Sequence, residues 1–136
     1  MRYLGIDYGD KRIGIAISDE EGQFAFPKMV ARNEWSEVRE KTKNFIEKNN
    51  IATIVVGLPQ NFKGEDTQQT KKVRDFAEKL KKELGVEIVF ENEILTSKYV
   101  EKNRGATKEM VDASSAALIL QSFLDRLDKV QQKICP

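Results

Sequence analysis

Residues 3–18 constrain the fold more than any other stretch of this chain. Residues 3–6 form an apolar run too short for an independent helix but suited to a central strand, and Asp7 stands where that strand ends. Gly9 and Asp10 supply a turn, after which every second residue of the next segment is an isoleucine. The pattern predicts a β-hairpin with Asp7 at one end of it. The alternative reading of Asp7 is a turn-forming aspartate with no further role.

The length and charge of the chain limit its organisation and its partners. We expect 136 residues to form a single domain over residues 1–136. The 23 Lys and Arg residues nearly balance the 22 Asp and Glu residues, so a nucleic-acid surface would have to come from local basic patches. No apolar run approaches the roughly 20 residues of a membrane span, and no signal peptide precedes the first strand. We therefore expect a cytoplasmic protein without a membrane partner.

The absence of histidine excludes several classes of catalysis. A Ser-His-Asp or Cys-His site, a histidine-ligated zinc ion and a histidine general base are all ruled out. The only cysteine, Cys135, cannot form an intrachain disulfide or a multi-cysteine zinc site. Neither a P-loop nor a dinucleotide-binding fingerprint occurs. Chemistry in this protein must therefore use carboxylates, lysines, hydroxyls or a metal ion.

The first half of the remaining chain completes an α/β pattern. Residues 23–32 predict a third strand, which Pro27 places at a sheet edge or at a bulge. Asn33 is the predicted cap of an amphipathic helix that ends at residues 49–50. Residues 51–58 are rich in β-branched side chains and predict a buried parallel strand.

The second half continues with helices and one more strand. Asp66 and Gln69 resemble a capping box for a helix that ends at Gly85, and residues 86–90 predict a fifth strand. Thr96 is the predicted cap of a short helix closed by Gly105, and Thr107 that of the last helix. That helix has an apolar repeat: Ala113, Ala116, Ala117, Leu120, Leu124 and Leu127. The predicted fold class is α/β, with three antiparallel strands, then two parallel strands, flanked by helices.

Three acids from separate elements could meet at one end of this sheet: Asp7, either Glu91 or Glu93, and Asp112. A helical wheel places Asp112 on the same side as Ala116, where an unpaired carboxylate is costly to bury. Oxygen ligands without histidine suit Mg²⁺ or Mn²⁺, which can activate water and bridge to phosphates. Two plainer readings are that Asp112 is an acid favoured by the helix dipole and that residues 57–64 form an ordinary strand-to-helix loop.

Several motifs, in order along most of the chain, resemble the YqgF/RuvX family. They are residues 4–9 (Leu-Gly-Ile-Asp-Tyr-Gly), residues 11–14 (Lys-Arg-Ile-Gly), residues 56–59 (Val-Gly-Leu-Pro) with Asn61 and Gly64, Glu93 with residues 95–97 (Leu-Thr-Ser), and Val111-Asp112 with residues 116–122 (Ala-Ala-Leu-Ile-Leu-Gln-Ser). The resemblance implies an RNase H-like fold, similar to Holliday junction resolvases, and a nuclease that processes the precursor of small-subunit ribosomal RNA. It also implies that Asp7, Glu93 and Asp112 are the catalytic and metal-binding acids, which resolves the choice between Glu91 and Glu93.

Two departures from the family pattern matter. Asn92 and Ile94 stand where the family usually has an aspartate and an arginine, which removes one acid and one guanidinium that could hold a phosphate. Asp10 replaces a usual threonine and adds negative charge where a phosphate would approach. We expect these changes to affect substrate affinity or rate.

The leading functional hypothesis is a metal-dependent endonuclease that acts on precursor ribosomal RNA or on branched DNA. The expected partners include ribosomal assembly particles, and the expected oligomeric state is a monomer or a homodimer. The predicted substrate contacts are Lys11, Arg12, Asn61, Lys63 and Lys98. One alternative is an RNA-binding or ribosome-assembly module without catalysis, which the departures at residues 92 and 94 leave open. Another is an ATP-binding protein, because Gly-Ile-Asp-x-Gly also opens the phosphate-binding hairpin of the actin and sugar-kinase superfamily. Those proteins need two lobes, and this length allows one.

Overall fold

The computed structural model describes residues 1–92 and 115–127 of the chain. The elements, in chain order, are β1 (Tyr3–Tyr8), β2 (Arg12–Ser18), β3 (Ala25–Arg32), α1 (Trp35–Asn49), β4 (Thr53–Leu58), α2 (Gln68–Leu84) and β5 (Glu87–Asn92). Residues 115–127 form a further helix, here α3. The predicted short helix from Thr96 to Gly105 and the predicted cap at Thr107 lie outside the described residues.

The five strands form one mixed sheet in the order β3-β2-β1-β4-β5. β1 pairs antiparallel with β2, and β2 pairs antiparallel with β3. β1 pairs parallel with β4, and β4 with β5. The prediction of three antiparallel strands followed by two parallel strands is confirmed. The carboxyl ends of β1, β4 and β5 therefore meet at one edge, which we call the carboxyl edge.

β3 is an edge strand with an irregularity, as Pro27 predicted. Pro27 lies opposite Ala16, and the register between β2 and β3 shifts between Ile15 and Ala16. Proline has no N–H to donate to a neighbouring strand, so it is tolerated at this position. Both outcomes left open by the sequence, an edge and a bulge, occur together.

The two sides of the sheet carry two hydrophobic clusters. Leu4 and Ile6 of β1 face the first cluster, which contains Val38 of α1 and Phe76 of α2. The strand residues that alternate with these, such as Val55, face the other side of the sheet and pack with α3 in the second cluster. α1 and α2 therefore cover one side of the sheet, and α3 covers the other.

α3 approaches β1 closely because Gly5 has no side chain. A Cβ atom at Gly5 would lie 2.8 Å from the Cβ of Leu120 and 3.0 Å from the carbonyl oxygen of Ala116. Further along α3, the ring of Phe123 packs against Tyr3 with 5.5 Å between centroids. Residues later in α3 therefore contact residues earlier in β1, so the helix runs antiparallel to the strand. The amino-terminal end of the described helix therefore points toward the carboxyl edge.

The predicted cap of α1 is wrong. Glu34 occupies the N-cap position and makes no side-chain cap bond, although the helix does end at Asn50 in a left-handed conformation. The side-chain amide of Asn33 instead donates to the carbonyl oxygen of Gly9, at 2.8 Å. Asn33 therefore ties the start of α1 to the β1–β2 turn.

The predicted capping box of α2 is also wrong, by one residue. Thr67 is the N-cap, its hydroxyl accepts the N–H of Thr70, and the Thr70 hydroxyl accepts the N–H of Thr67. The Asp66 carboxylate does not cap the helix, because it forms an ion pair with Arg74, with 3.0 Å between Oδ2 of Asp66 and Nε of Arg74. The predicted end at Gly85 is confirmed, with φ of 64°. No helix in the described part of the chain is long and apolar enough to cross a membrane.

Candidate active site at the carboxyl edge

Asp7 lies at the carboxyl edge, one residue before the end of β1. It pairs with Gly14 of β2, and its side chain is half-buried. Gly5 faces α3, so strand alternation places Asp7 on the α3 side as well. The predicted position of Asp7 at the end of a central strand is confirmed.

Glu91 of β5 is a second acid at the carboxyl edge, at the same level of the sheet as Asp7. Ile6 pairs with Val56, and Gly57, the residue after Val56, pairs with Glu91. Glu91 and Asp7 are thus two strands apart, with Gly57 between them. Gly57 contributes no side chain between the two carboxylates, and its backbone is buried.

The carboxylate of Glu91 is buried and has a cation as its partner. Glu91 is 2% exposed, and its Oε2 accepts a hydrogen bond of 2.6 Å from Nη2 of Arg126 on α3. A buried carboxylate needs such a partner, and a charged hydrogen bond of this length is a strong one. Sequence reasoning missed Arg126, because nothing in the spacing of the two residues signals the pair.

Two of the three predicted acids, Glu93 and Asp112, lie outside the described residues, as does Lys98. Within residues 1–92 and 115–127, no group of three or more acidic, histidine or cysteine side chains is placed to hold a metal ion. That finding concerns only the described acids. The predicted trio therefore stays a prediction.

The loop after β4 is organised by Asn61, whose side-chain oxygen accepts the backbone N–H groups of Lys63 at 3.0 Å and Glu65 at 2.9 Å. The base of the loop is closed by Gln60, which donates to Asp66 at 2.8 Å. Hydrogen bonds from Arg74 and then Gln60 lower the pKa of the Asp66 carboxyl. Asn61, predicted as a substrate contact, has a demonstrable role in shaping the loop.

The predicted cationic contacts that the structure describes, Lys11, Arg12 and Lys63, lie at the same edge. Lys11 and Lys63 are exposed, and Arg12 is half-buried at the start of β2. Asp10, which adds negative charge to the β1–β2 turn, lies 3.4 Å from the ammonium group of Lys72 on α2. Lys72, which the sequence did not single out, partly offsets that charge.

Solved structures identify the class of fold. The chain is similar to a RuvC from T. thermophilus in complex with a Holliday junction substrate, with a TM-score of 0.59, 13% identity, and coverage of 94% of this chain and 96% of that chain. A second Thermus thermophilus RuvC structure matches with a TM-score of 0.57, 14% identity, and coverage of 94% and 97%. The fold is therefore RNase H-like, as the sequence resemblance implied.

Sequence comparison identifies the family within that class. The family described as "RuvX: Holliday junction resolvase" matches residues 1–126, and the chain belongs to it. A relative from Sulfurihydrogenibium sp. is 41% identical over 133 residues, covering 93% of this chain and 91% of the relative. A relative from Caldanaerobacter subterraneus is 37% identical over 134 residues, covering 92% and 96%. Both are named "Putative pre-16S rRNA nuclease".

Proposed function

We propose that this protein is a metal-dependent endonuclease that hydrolyses phosphodiester bonds in pre-16S ribosomal RNA. The observation that carries the proposal is Asp7, a half-buried carboxylate at the carboxyl edge of an RNase H-like sheet. The names of the family's relatives support the substrate. We propose that the whole chain acts as one nuclease domain in the cytoplasm, on RNA or on ribosomal assembly particles.

We further propose Asp7, Glu93 and Asp112 as the catalytic and metal-binding acids. Glu93 directly follows Asn92, the last residue of β5, and β5 ends at the same carboxyl edge as β1, which carries Asp7. Asp112 precedes the described part of α3 by three residues, and that end of α3 points toward Asp7. Glu91 is neutralised by Arg126, which also favours Glu93 as the site acid.

The donor set fits a hard divalent cation, Mg²⁺ or Mn²⁺. All three proposed ligands offer carboxylate oxygens, and the chain has no histidine to favour zinc. When bound, such an ion supplies an activated water and stabilises charge on the phosphate. The protein's own part is to hold the RNA backbone, for which we propose Lys11, Arg12, Lys63 and Lys98.

Cleavage of a pre-16S RNA fragment in Mg²⁺ or Mn²⁺ tests this function. Asp7→Asn removes one charged ligand at nearly constant shape, and we expect the rate to fall about 100-fold or more. Glu21→Gln is a matched control, because Glu21 is an exposed acid on the β2–β3 turn at the opposite end of the sheet. Equal rates for the parent and Asp7→Asn would contradict the proposed site.

A DNA four-way junction is the second candidate substrate, because the family is described as a Holliday junction resolvase and the fold is that of RuvC. The same assay should therefore include such a junction beside the RNA. Faster cleavage of the junction would replace the RNA assignment. Binding of RNA without any cleavage in either metal would favour the assembly-factor alternative.

A further inference from the structure

Phe62 is nearly fully exposed at the tip of the loop that follows β4. Its side chain is 95% exposed, whereas the other exposed large apolar residues of the described chain are Met1, Phe24 and Phe26, at 69%, 59% and 53%. A phenyl ring with this exposure contributes almost no packing to the fold, and leaving it in water is unfavourable. Packing within the described part of the chain therefore does not account for an aromatic residue at this position.

The loop holds Phe62 in a defined place. Its two neighbours in the sequence, Asn61 and Lys63, are joined by the hydrogen bond from the Lys63 N–H to the Asn61 side chain. Gly64, with φ of 77°, returns its N–H to the Asn61 carbonyl oxygen at 2.9 Å. Arg74 fixes the base of the loop through Asp66. The ring is thus presented by a closed turn that is anchored to α2.

The surroundings of Phe62 suit a polyanion that carries flat rings. β4 lies beside β1 and parallel to it, so the loop leaves the sheet at the same edge as Asp7. Lys63, next to Phe62, is exposed and can contact phosphate. An aromatic ring beside a cation is the combination with which proteins bind single strands, because every base has a face on which an aromatic ring can stack.

We propose that Phe62 stacks on an unpaired base of the substrate. The inference deepens the proposed function and rests on it. In a continuous duplex both faces of each base are covered by neighbouring base pairs, so only an unpaired base offers Phe62 a free face. The substrate class is therefore nucleic acid with an unpaired segment beside the cleaved strand.

Binding to two matched RNAs tests the proposal. One is a hairpin with a single-stranded extension that contains the fluorescent base 2-aminopurine, and the other is a blunt duplex of the same length. Measurements use the full chain with Asp7→Asn, so that the RNA stays intact. We expect Phe62→Ala to weaken binding of the extended hairpin about 5- to 100-fold, to abolish quenching of 2-aminopurine, and to leave duplex binding unchanged.

Two further variants separate stacking from other effects. Phe62→Trp should restore affinity and quenching, because indole also stacks on bases. Phe24→Ala should change neither, because Phe24 is an exposed phenylalanine at the opposite end of the sheet. An unchanged affinity in Phe62→Ala, or an equal loss for both RNAs, would overturn the proposal.

The outcomes distinguish this inference from the proposed function. If the parent cleaves RNA but Phe62→Ala does not change RNA affinity, the stacking role is removed and the nuclease function is kept. Quenching that depends on Phe62 without any cleavage by the parent would keep the stacking role and remove the nuclease. A parent that binds neither RNA would overturn both.

Discussion

The pair formed by Glu91 and Arg126 predicts a stability effect that can be measured directly. Arg126→Met keeps most of the side-chain stem but leaves the carboxylate of Glu91, 2% exposed, without its cation. Removing one partner of a fully buried ion pair costs about 3–5 kcal/mol. The side chain of Arg126 is 59% exposed, so water screens the pair, and we expect a smaller loss of about 1–3 kcal/mol in the free energy of unfolding.

A double-mutant cycle in urea isolates this interaction. The four proteins are the parent, Arg126→Met, Glu91→Leu and the double variant, followed by far-ultraviolet circular dichroism. The double variant should be more stable than Arg126→Met, because it has no buried charge left without a partner. A coupling energy below about 0.5 kcal/mol would refute the argument that the pair fastens α3 to β5.

Two further perturbations test the fold around the site. Gly5→Ala should lower the free energy of unfolding by about 1–3 kcal/mol, because its Cβ would lie 2.8 Å from an α3 side chain, and an unchanged melting temperature would contradict the described contact. The pKa of the Asp66 carboxyl is lower in the folded than in the unfolded protein, where it is about 4. The ionised carboxylate therefore stabilises the fold above about pH 4, and this stabilisation is lost as the pH falls through the folded-state pKa. Asp66→Asn should therefore lower the melting temperature more at pH 7 than at pH 2, and an equal effect at both values would exclude the ion pair as the cause.

Local patterns predicted the sheet well because they report burial directly. The alternation in β2 and the β-branched run of β4 are consequences of facing one or two packed layers, and both strands are present. The position of Asp7 followed from the end of β1 alone. These features need no knowledge of residues distant in the sequence.

The errors fall where one polar side chain has several possible partners. Asn33 and Asp66 both suit a helix cap by residue type, but each is bound by a group that the tertiary fold brings near, the Gly9 carbonyl and the Arg74 guanidinium respectively. Glu91 could not be assigned from its sequence position for the same reason, since its partner Arg126 comes from α3. Turn-forming residues likewise predicted the loop after β4 but not the exposure of Phe62.

The contact between α3 and β1 also affects the order in which the protein can be completed during synthesis. The strands are made early, but the side of the sheet that carries Ala16 and Val55 is covered by Ala116 and Leu120, which are made late. Contacts between residues so distant in the sequence form slowly, and an uncovered apolar sheet face is prone to aggregation in the meantime. A nascent chain that has reached α2 and β5 therefore still exposes an apolar face that a chaperone can recognise.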